Sequence, residues 1–324
     1  MEYRRMGKSD LIVSAVGFGC WEMGGSYGDI DNQEVTTAIR RALELGVTLY
    51  DTARGYGAGR SEEILGRALG ADRNNVIVVT KCALPTRPEQ KSRRDARYDS
   101  IMKDVELSLQ SLGTDYIDLL LVHWPDVETP IPESMRALND LRGAGKVRHV
   151  GVSNFSAAQL REGKQFAPLI ANQVGYNLFD RRWEYEMFPT AEELGIGIMA
   201  YGPLAHGLLT GTFTAETAFG GNDWRARGLV FGQALFTPEN LPKNVEVVDR
   251  LKRFAAKRGI TLPRLALAWV LSNPQVSVAL SGTRRPSEIE ENVEALTIKL
   301  TAEDKAELAT IMQDAAGQVK EIPT

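Results

Sequence analysis

Residues 116–123 read YIDLLLVH, a short run of apolar side chains that ends on a histidine. Further short runs of the same kind recur along the chain, and most are too continuously apolar for one face to meet water. This pattern is typical of parallel strands that are covered on both sides. The other seven runs are AVGFG (15–19), VTLYD (47–51), VIVVTK (76–81), VRHVGVS (147–153), IANQVGY (170–176), IGIMAY (196–201) and VSVALSG (276–282).

Helical patterns fill the intervals between these runs. An apolar stripe at helical spacing occupies 97–112, and similar stripes occupy 31–46 and 286–296. Asp31 and Glu34 stand at the spacing of a capping box, as expected at the start of a helix. Each apolar run is therefore followed by a segment that can cross back over the sheet.

Eight strands with intervening helices predict a single (β/α)8 TIM barrel domain over residues 1–324. A doubly wound parallel sheet is the alternative. Residues 1–13 predict a short N-terminal β-hairpin that caps the bottom of the barrel, and 301–316 predict a last helix. Long loops, 83–97 and 205–244, follow strands 3 and 7. Both leave the C-terminal face, where barrel enzymes place their active sites.

Composition limits the class of protein. The net charge of −4 gives no basic field, so nucleic acid is not expected as a partner. Cys20 and Cys82 are too few for a disulfide framework or a structural zinc site, and we expect no metal. The sequence lacks a secretory signal and any apolar run near the ~18 residues of a membrane span. These features predict a cytoplasmic protein that has no membrane partner, and they leave the oligomeric state open.

Residues 51–66, DTARGYGAGRSEEILG, contain several glycines but do not build a known phosphate loop. A dinucleotide fingerprint needs G-x-G-x-x-G directly after a strand, and here Glu62 stands where the third glycine belongs. GFGCWEMGG fails in the same way at Glu22. The glycines are therefore interpreted as a tight turn between strand and helix.

Four polar residues at the predicted strand ends carry the chemistry. Asp51, Lys81 and His123 end strands 2, 3 and 4, and Tyr56 follows five residues after Asp51. Each alone has an ordinary structural explanation, such as a helix cap or a solvated charge. Together they suit reduction of a carbonyl group, since a tyrosine can protonate the developing alkoxide and a histidine can orient the oxygen. A carboxylate would keep the buried lysine charged.

The same argument makes a prediction about Tyr56. An ammonium group at ~4 Å would favour the phenolate by ~4 kcal/mol at an effective dielectric constant of ~20, or roughly three pKa units. We therefore expect Lys81 to lower the pKa of Tyr56 towards neutrality.

Specific motifs resemble those of the aldo-keto reductase superfamily. They include DTARGYGAGRSEEILG, VTK, DYIDLLLVHWPD, GKVRHVGVSNF, YGPLAHGLLTG and SGTRRPSEIEENV, and they run from residue 17 to 293. Within the superfamily the pattern is most similar to a bacterial aldehyde-reductase branch that includes the inositol-operon reductase. The resemblance implies a nicotinamide dinucleotide cofactor that lies extended across the barrel mouth. It also implies that Tyr56 donates the proton, that Lys81 and Asp51 tune it, and that His123 orients the carbonyl.

The resemblance further implies where the cofactor binds. Ser153, Asn154 and Gln173 would bond the nicotinamide carboxamide, and Tyr201 would stack under its ring. Pro203, Leu204, Gly207 and Gly211 lie in the segment that would pass the pyrophosphate. The remaining contacts implied are Gly19, Asp51, Gly282, Thr283, Arg284, Glu288, Glu291 and Asn292.

The segment 282–292, GTRRPSEIEEN, predicts the choice of cofactor. Arg284 and Arg285, with Thr283, could bind a 2′-phosphate, because a guanidinium group matches phosphate geometry. Glu288 departs from the family pattern, where glutamine or arginine is usual, and its carboxylate would repel that phosphate. The two arginines favour NADPH/NADP+, with NADH as the alternative.

The substrate pocket is predicted between Trp21, Tyr56, His123 and Trp124, with aromatic walls. We expect NAD(P)H-dependent reduction of aldehydes or ketones; which carbonyl compound is reduced cannot be inferred. The alternatives are a regulatory or sensor protein that binds the cofactor, and a sugar or polyol dehydrogenase that works oxidatively. A basic loop after strand 3 has two interpretations, attraction of anionic substrates or a solvated loop; its arginines are Arg87, Arg93, Arg94 and Arg97.

Overall fold

The structure, a computed structural model, describes residues 1–25, 30–87, 90, 93–221 and 223–322. Residues 88–89 and 91–92 in the predicted loop 83–97, residue 222 in the predicted loop 205–244, and residues 26–29 and 323–324 lie outside the described residues.

Eight parallel strands close into a barrel in which each strand pairs with its neighbours along the chain and the last pairs with the first. All eight predicted apolar runs are barrel strands, which confirms the (β/α)8 barrel and rules out a doubly wound sheet. An antiparallel hairpin precedes the barrel, as predicted. The hairpin strands are β1 (Tyr3–Arg5) and β2 (Ile12–Ser14), and the barrel strands are β3 (Val16–Gly19), β4 (Leu49–Asp51), β5 (Ile77–Cys82), β6 (Ile117–Val122), β7 (Val147–Ser153), β8 (Ala171–Gly175), β9 (Gly197–Tyr201) and β10 (Val276–Gly282).

Helices surround the barrel. They are α1 (Asn32–Glu44), α2 (Arg60–Leu69), α3 (Tyr98–Leu112), α4 (Ile131–Gly143), α5 (Ala157–Phe166), α6 (Met187–Leu194), α7 (Asn240–Lys257), α8 (Leu262–Leu271), α9 (Pro286–Glu294) and α10 (Ala302–Ile311). The four predicted helical segments correspond to α1, α3, α9 and α10. Asp31 caps α1 by accepting from the backbone N–H of Gln33 at 2.8 Å. Along the described chain, no helix has the length and apolar character needed to cross a membrane.

The crossover from β9 to β10 contains two helices, α7 and α8. The loop predicted over 205–244 therefore ends earlier, because α7 already begins at Asn240. Short 3-10 helices at Ala205–Thr210 and Trp224–Arg227 lie within the same connection. This long connection follows the C-terminal end of β9 and has local structure of its own.

Strand β6 shows why both of its faces are apolar. Leu119 and Leu121 belong to the core inside the barrel, together with Val79. Leu120 and Val122 belong to the outer core beneath the helices. Successive side chains of a strand point to opposite faces, so a strand buried on both sides needs an unbroken apolar run.

The N-terminal hairpin closes the bottom of the barrel. Met6 and Val13 are fully buried and complete the inner core. Arg4 adds two hydrogen bonds from its guanidinium group, to the carbonyl of Val276 at 2.8 Å and that of Leu271 at 3.0 Å. The opposite, C-terminal end is therefore the open one.

Helices α2 and α3 approach closely at Gly66. A Cβ atom at this position would lie 2.8 Å from the carbonyl carbon of Leu112 and closer still to its oxygen. We expect Gly66→Ala to lower the free energy of unfolding by about 1–3 kcal/mol, because a backbone contact cannot yield easily. Gly143→Ala is the control, since nothing lies within 4 Å of a Cβ there; it should be neutral or stabilising by up to ~1 kcal/mol. Urea unfolding measures both, and equal effects would contradict the close contact.

Candidate active site

Polar side chains lie at the C-terminal ends of three adjacent barrel strands. Asp51 is the last residue of β4, Lys81 lies at the end of β5, and His123 directly follows β6. The strands are parallel, with Lys81 in register with Leu121, so these ends open on the same side of the barrel. The turn after β4 carries Tyr56 over this opening. The structure therefore brings together the four residues predicted from the sequence.

The ammonium group of Lys81 is at the centre of this cluster. Its Nζ donates to Asp51 Oδ2 at 2.7 Å, to the Thr52 carbonyl at 2.8 Å and to the Tyr56 hydroxyl oxygen at 3.1 Å. The second carboxylate oxygen of Asp51 accepts from Gln173 Nε2 at 2.7 Å. An ammonium group has three protons to donate. The three acceptors around Lys81 Nζ therefore provide one for each proton.

Burial opposes both charges of the Lys81–Asp51 pair. Lys81 is 1% exposed and Asp51 is 4% exposed. Burial lowers the pKa of Lys81 and raises that of Asp51, while each partner's charge acts in the other direction. The short contact between them is what makes two buried charges tolerable at this depth.

The electrostatics of Tyr56 differ from the expectation drawn from the sequence. Burial raises the pKa of its hydroxyl well above the ordinary value, and the Asp51 carboxylate raises it further. The expected lowering by Lys81 is therefore wrong for this site, because desolvation outweighs the ammonium group. Tyr56 is a phenol at neutral pH. Its oxygen accepts from Lys81, which leaves its own proton available to the cavity.

His123 lies against Tyr56, with ring centroids 5.6 Å apart in an edge-to-face arrangement. Burial, and then the charge of Lys81, lower the pKa of His123 well below its ordinary value. The imidazole is therefore neutral near pH 7. Its Nδ1 atom is buried and has no hydrogen-bond partner within the described part of the chain.

Side chains from the next three strands continue the site. Tyr201 donates from its hydroxyl to Asn154 Oδ1 at 3.0 Å, and Asn154 Nδ2 donates to the His123 carbonyl at 3.1 Å. Ser153 Oγ donates to the Gln173 carbonyl at 2.8 Å. Asn154 has a φ of 61°, a left-handed conformation that asparagine tolerates better than most residues. A connected hydrogen-bond network therefore links the ends of β7, β8 and β9 to His123.

These strand ends surround a cavity of about 860 Å³, which is large enough for a small molecule and a cofactor portion. Most of the predicted site residues line it. They are Gly19, Trp21, Asp51, Tyr56, His123, Trp124, Ser153, Asn154, Gln173, Tyr201, Pro203, Leu204, Gly207, Gly282, Arg284, Glu288, Glu291 and Asn292.

Two residues predicted to bind the cofactor do not reach the cavity. Thr283 is 2% exposed and turns its hydroxyl to the Ser281 carbonyl at 3.3 Å. Gly211 ends a 3-10 helix, and its carbonyl accepts from Lys252 at 3.2 Å. Neither of them is among the residues that line the cavity.

Comparison with known proteins agrees with this geometry. Residues 15–313 match the Aldo/keto reductase family. The chain belongs to this family. It is 39% identical to aldo-keto reductase YhdN of Bacillus subtilis over 97% of this chain and 94% of that one. It is 36% identical to the NADH-specific methylglyoxal reductase of Escherichia coli over 96% and 97%. Among solved structures, a glycerol dehydrogenase from Gluconobacter oxydans superposes with a TM-score of 0.86 at 37% identity, covering 98% of this chain and 96% of that one.

As a member of the aldo/keto reductase family, the protein is a nicotinamide-dependent oxidoreductase that acts on carbonyl groups. The match to the family model runs from the end of the N-terminal hairpin to the last helix. The alignments with both relatives span nearly the whole length of each chain. The superfamily resemblance seen in the motifs is therefore confirmed. The regulatory or sensor alternative is not favoured, although the chain is also 34% identical, over 92% of both chains, to a probable voltage-gated potassium channel subunit beta of Arabidopsis thaliana.

At one end of the reductase cavity, both predicted phosphate-binding arginines are engaged by carboxylates. Arg284 Nε donates to Glu22 Oε2 at 2.6 Å. Arg285 Nη2 donates to Glu288 Oε1 at 2.6 Å. Glu288 also accepts from the backbone N–H groups of Arg284 at 2.7 Å and Arg285 at 3.2 Å, and the second of these bonds caps α9. Sequence reasoning missed Glu22, which is 262 positions away from Arg284.

An aromatic wall of the reductase cavity was also missed. His206 and Phe231 line the cavity; with Trp224 they come from the connection after β9 and pack around the predicted Trp21. Trp21 in turn stacks on Tyr56, with ring centroids 6.2 Å apart. The clustering of aromatic residues in one long connection was the available sequence signal.

The basic loop of the reductase is less charged than its sequence indicates. Arg87 and Arg97 are each paired with an aspartate. Arg94 lies 5.0 Å from the ring centroid of Trp124, and Arg93 lines a smaller neighbouring cavity. Two of the four charges are thus compensated locally, which weakens the argument for anionic substrates.

Removal of Lys81 tests the buried ion pair. We expect Lys81→Met to lower the free energy of unfolding by about 3–5 kcal/mol, because it leaves the Asp51 carboxylate buried without its partner. Adding Asp51→Asn should recover much of this loss, since no unpaired charge remains. Lys146→Met is the control, because Lys146 pairs with Glu106 on the exposed surface; it should cost no more than about 1 kcal/mol. Urea unfolding at pH 7 measures all four proteins, and a double variant less stable than Lys81→Met would contradict the coupling.

Proposed function

We propose that the protein reduces small aldehydes and ketones to alcohols, with Tyr56 as the general acid. The observation that carries this proposal is the 3.1 Å contact between Lys81 Nζ and the Tyr56 hydroxyl oxygen. Tyr56 lines the cavity, and its hydroxyl is protonated at neutral pH because burial raises its pKa. A tyrosine in this state is ready to donate a proton.

Lys81 stabilises the product of that proton transfer. When the phenol proton leaves, the oxygen acquires a negative charge next to a fixed ammonium group. At ~4 Å and an effective dielectric constant of ~20, the attraction is ~4 kcal/mol. Asp51 keeps Lys81 charged, and Gln173 holds Asp51 in place. The lysine therefore lowers the free-energy cost of losing the proton, while desolvation keeps the pKa of Tyr56 above its ordinary value.

His123 is proposed to orient the carbonyl oxygen. Its neutral imidazole lines the cavity beside Tyr56, so a carbonyl oxygen between the two rings can accept hydrogen bonds from both. A neutral donor stabilises developing charge without competing for the proton. Trp21 and Trp124 line the same cavity and supply apolar walls for the rest of the substrate.

The lining residues suit a nicotinamide dinucleotide. Tyr201 lines the cavity together with Asn154 and Gln173, so an aromatic ring and two side-chain amides are available to a nicotinamide group. The N-terminus of α9 opens on the far end of the cavity, where its backbone N–H groups favour polar oxygens. Further contacts are proposed from Gly19, Ser153, Pro203, Leu204, Gly207, Gly282, Glu291 and Asn292. When bound, the reduced nicotinamide supplies the hydride.

The same group serves both directions of the reaction, since Tyr56 would donate a proton in reduction and accept it back in oxidation. The relatives' names include both a reductase and a dehydrogenase. We propose an aldehyde reductase, in line with the two relatives named as reductases, and a location in the cytoplasm because Cys20 and Cys82 are both free thiols.

Tyr56→Phe tests the proposed acid. We expect kcat for an aldehyde to fall by about 10²–10⁴-fold while cofactor affinity is unchanged, because only the proton donor is lost. Tyr50→Phe is the control: Tyr50 is also buried, on the preceding strand, and its hydroxyl has no partner among the described residues. It should retain wild-type kcat. Oxidation of NAD(P)H at 340 nm measures both variants, and a Tyr56→Phe enzyme with wild-type kcat would refute the assignment.

We further propose that NADH binds at least as tightly as NADPH, contrary to the preference inferred from the two arginines. Both guanidinium groups are already paired, Arg284 with Glu22 and Arg285 with Glu288. A 2′-phosphate would bring more negative charge to this pair of carboxylates. A ribose hydroxyl could instead donate to Glu288. The Escherichia coli relative, which is named NADH-specific, is consistent with this proposal.

Glu288→Gln tests the cofactor preference. The substitution removes the negative charge at the start of α9, so the ratio of Kd for NADPH to Kd for NADH should fall by about tenfold, which corresponds to ~1.4 kcal/mol. Glu290→Gln is the control, because Glu290 pairs with Arg41 on the outer side of the same helix. Fluorescence titration with both cofactors gives the ratio. An unchanged ratio, or wild-type binding tenfold tighter for NADPH, would contradict the proposal.

A further inference from the structure

A tight turn projects an aromatic ring into the reductase cavity. Val230 and Gln233 exchange two backbone hydrogen bonds, of 2.7 Å and 2.9 Å, around the two-residue turn Phe231–Gly232. Both central residues have positive φ, 46° and 85°. A turn of this kind favours Asn-Gly, because asparagine and glycine tolerate the left-handed conformation.

Phe231 is therefore an unusual choice for its backbone position. A left-handed conformation costs a bulky residue on the order of 1 kcal/mol, and such outliers cluster at functional sites. The neighbouring Gly232 gives no steric reason for a phenylalanine at position 231, since nothing lies within 4 Å of a Cβ atom placed on Gly232. We therefore attribute the left-handed conformation of Phe231 to the position that it gives the phenylalanine ring.

The Phe231 ring bridges two walls of the cavity. Its centroid lies 5.9 Å from that of Trp124, in a stacked arrangement, and 6.0 Å from that of Trp21. It also forms an edge-to-face pair with Tyr201, with ring centroids 5.4 Å apart. Trp21 stacks on Tyr56, so Phe231 lies one ring away from the proposed proton donor. The ring therefore covers the side of the pocket between the ends of β3 and β6.

A buried arginine holds this turn in place. Arg182 Nη1 donates to the Phe231 carbonyl at 3.1 Å and to the Glu321 carbonyl at 3.0 Å. Its Nε and Nη2 form a fork on the two carboxylate oxygens of Asp180, at 2.8 Å and 2.9 Å. The Arg182 side chain is 1% exposed. One guanidinium group thus fixes the turn, the segment after β8 and the C-terminal segment relative to one another.

We propose that Phe231 is a specificity-determining residue that limits the carbonyl pocket to small, unbranched substrates, and that Arg182 is the residue that positions it. This inference rests on the proposed function, because it concerns the substrate of that same site. A rigid ring between two tryptophans leaves room for a short-chain aldehyde beside Tyr56 and His123. An aromatic or branched group would have to displace the ring together with the turn that Arg182 holds.

The test compares kcat/KM for methylglyoxal, a three-carbon aldehyde, and for benzaldehyde, at saturating cofactor. Phe231→Asn removes the ring and puts the preferred residue in the turn, so the variant should fold. We expect the benzaldehyde-to-methylglyoxal ratio to rise by at least about tenfold, as for other changes of pocket volume. Leu229→Asn is the matched control, because Leu229 lies in the same segment and is 53% exposed; its ratio should not change.

Arg182→Lys tests the positioning role. Lysine keeps the charge but cannot form the fork, so the ratio should rise in the same direction. In the double variant with Phe231→Asn the ratio should rise no further, because both substitutions act through the same ring. A general loss of stability would instead lower kcat/KM for both aldehydes equally, and thermal unfolding of each variant measures that loss separately.

The outcomes separate this inference from the proposed function. A wild-type enzyme that reduces methylglyoxal, with an unchanged ratio in Phe231→Asn, overturns the inference and leaves the proposed function standing. An unchanged ratio with weaker cofactor binding assigns Phe231 to the cofactor groove and also overturns the inference. A wild-type protein that binds no cofactor and reduces neither aldehyde overturns both.

Discussion

The buried ammonium group of Lys81 is the constraint on which the candidate active site depends. A charge at this depth is tolerated only if its protons are all accepted and its countercharge is adjacent. Asp51, the Thr52 carbonyl and the Tyr56 hydroxyl meet these requirements. The Tyr56 hydroxyl is thus one of the acceptors that replace water around the Lys81 ammonium group. The geometry proposed for catalysis is also what makes the buried lysine stable.

This arrangement requires a closed barrel. Asp51 and Lys81 are on neighbouring strands whose parallel register places Asp51 beside Val79. Gln173, which holds the other carboxylate oxygen of Asp51, comes from β8 on another part of the barrel wall. The opposite end is filled by the hairpin and Met6. The two ends therefore have different roles, since packing is concentrated at the bottom and polar groups can gather at the top.

The fold and the reactive residues could be predicted from the sequence because both have local signals. An unbroken apolar run such as β6 is visible in the residues themselves, and parallel strand ends converge whatever the details of packing. The pKa of Tyr56 could not be predicted in the same way. The direction of the pKa shift depends on whether desolvation or the ammonium charge has the larger effect. The extent of desolvation depends on burial depth, which is a property of the whole fold. Glu22 was missed for a similar reason, because its partner Arg284 is distant in sequence.

The same distinction separates the reactive groups from the pocket wall. Asp51, Lys81 and His123 belong to strand ends, whose positions follow from the hydrogen-bond ladder of the barrel. Phe231 belongs to a connection whose position depends on contacts between distant segments, above all the fork of Arg182. Strand ends can therefore keep one chemistry while connections differ in shape, since a change in the turn leaves the ladder intact. In this protein the buried guanidinium group of Arg182 helps to hold the connection in place, so the shape of the pocket depends partly on an interaction that lies outside the reactive centre.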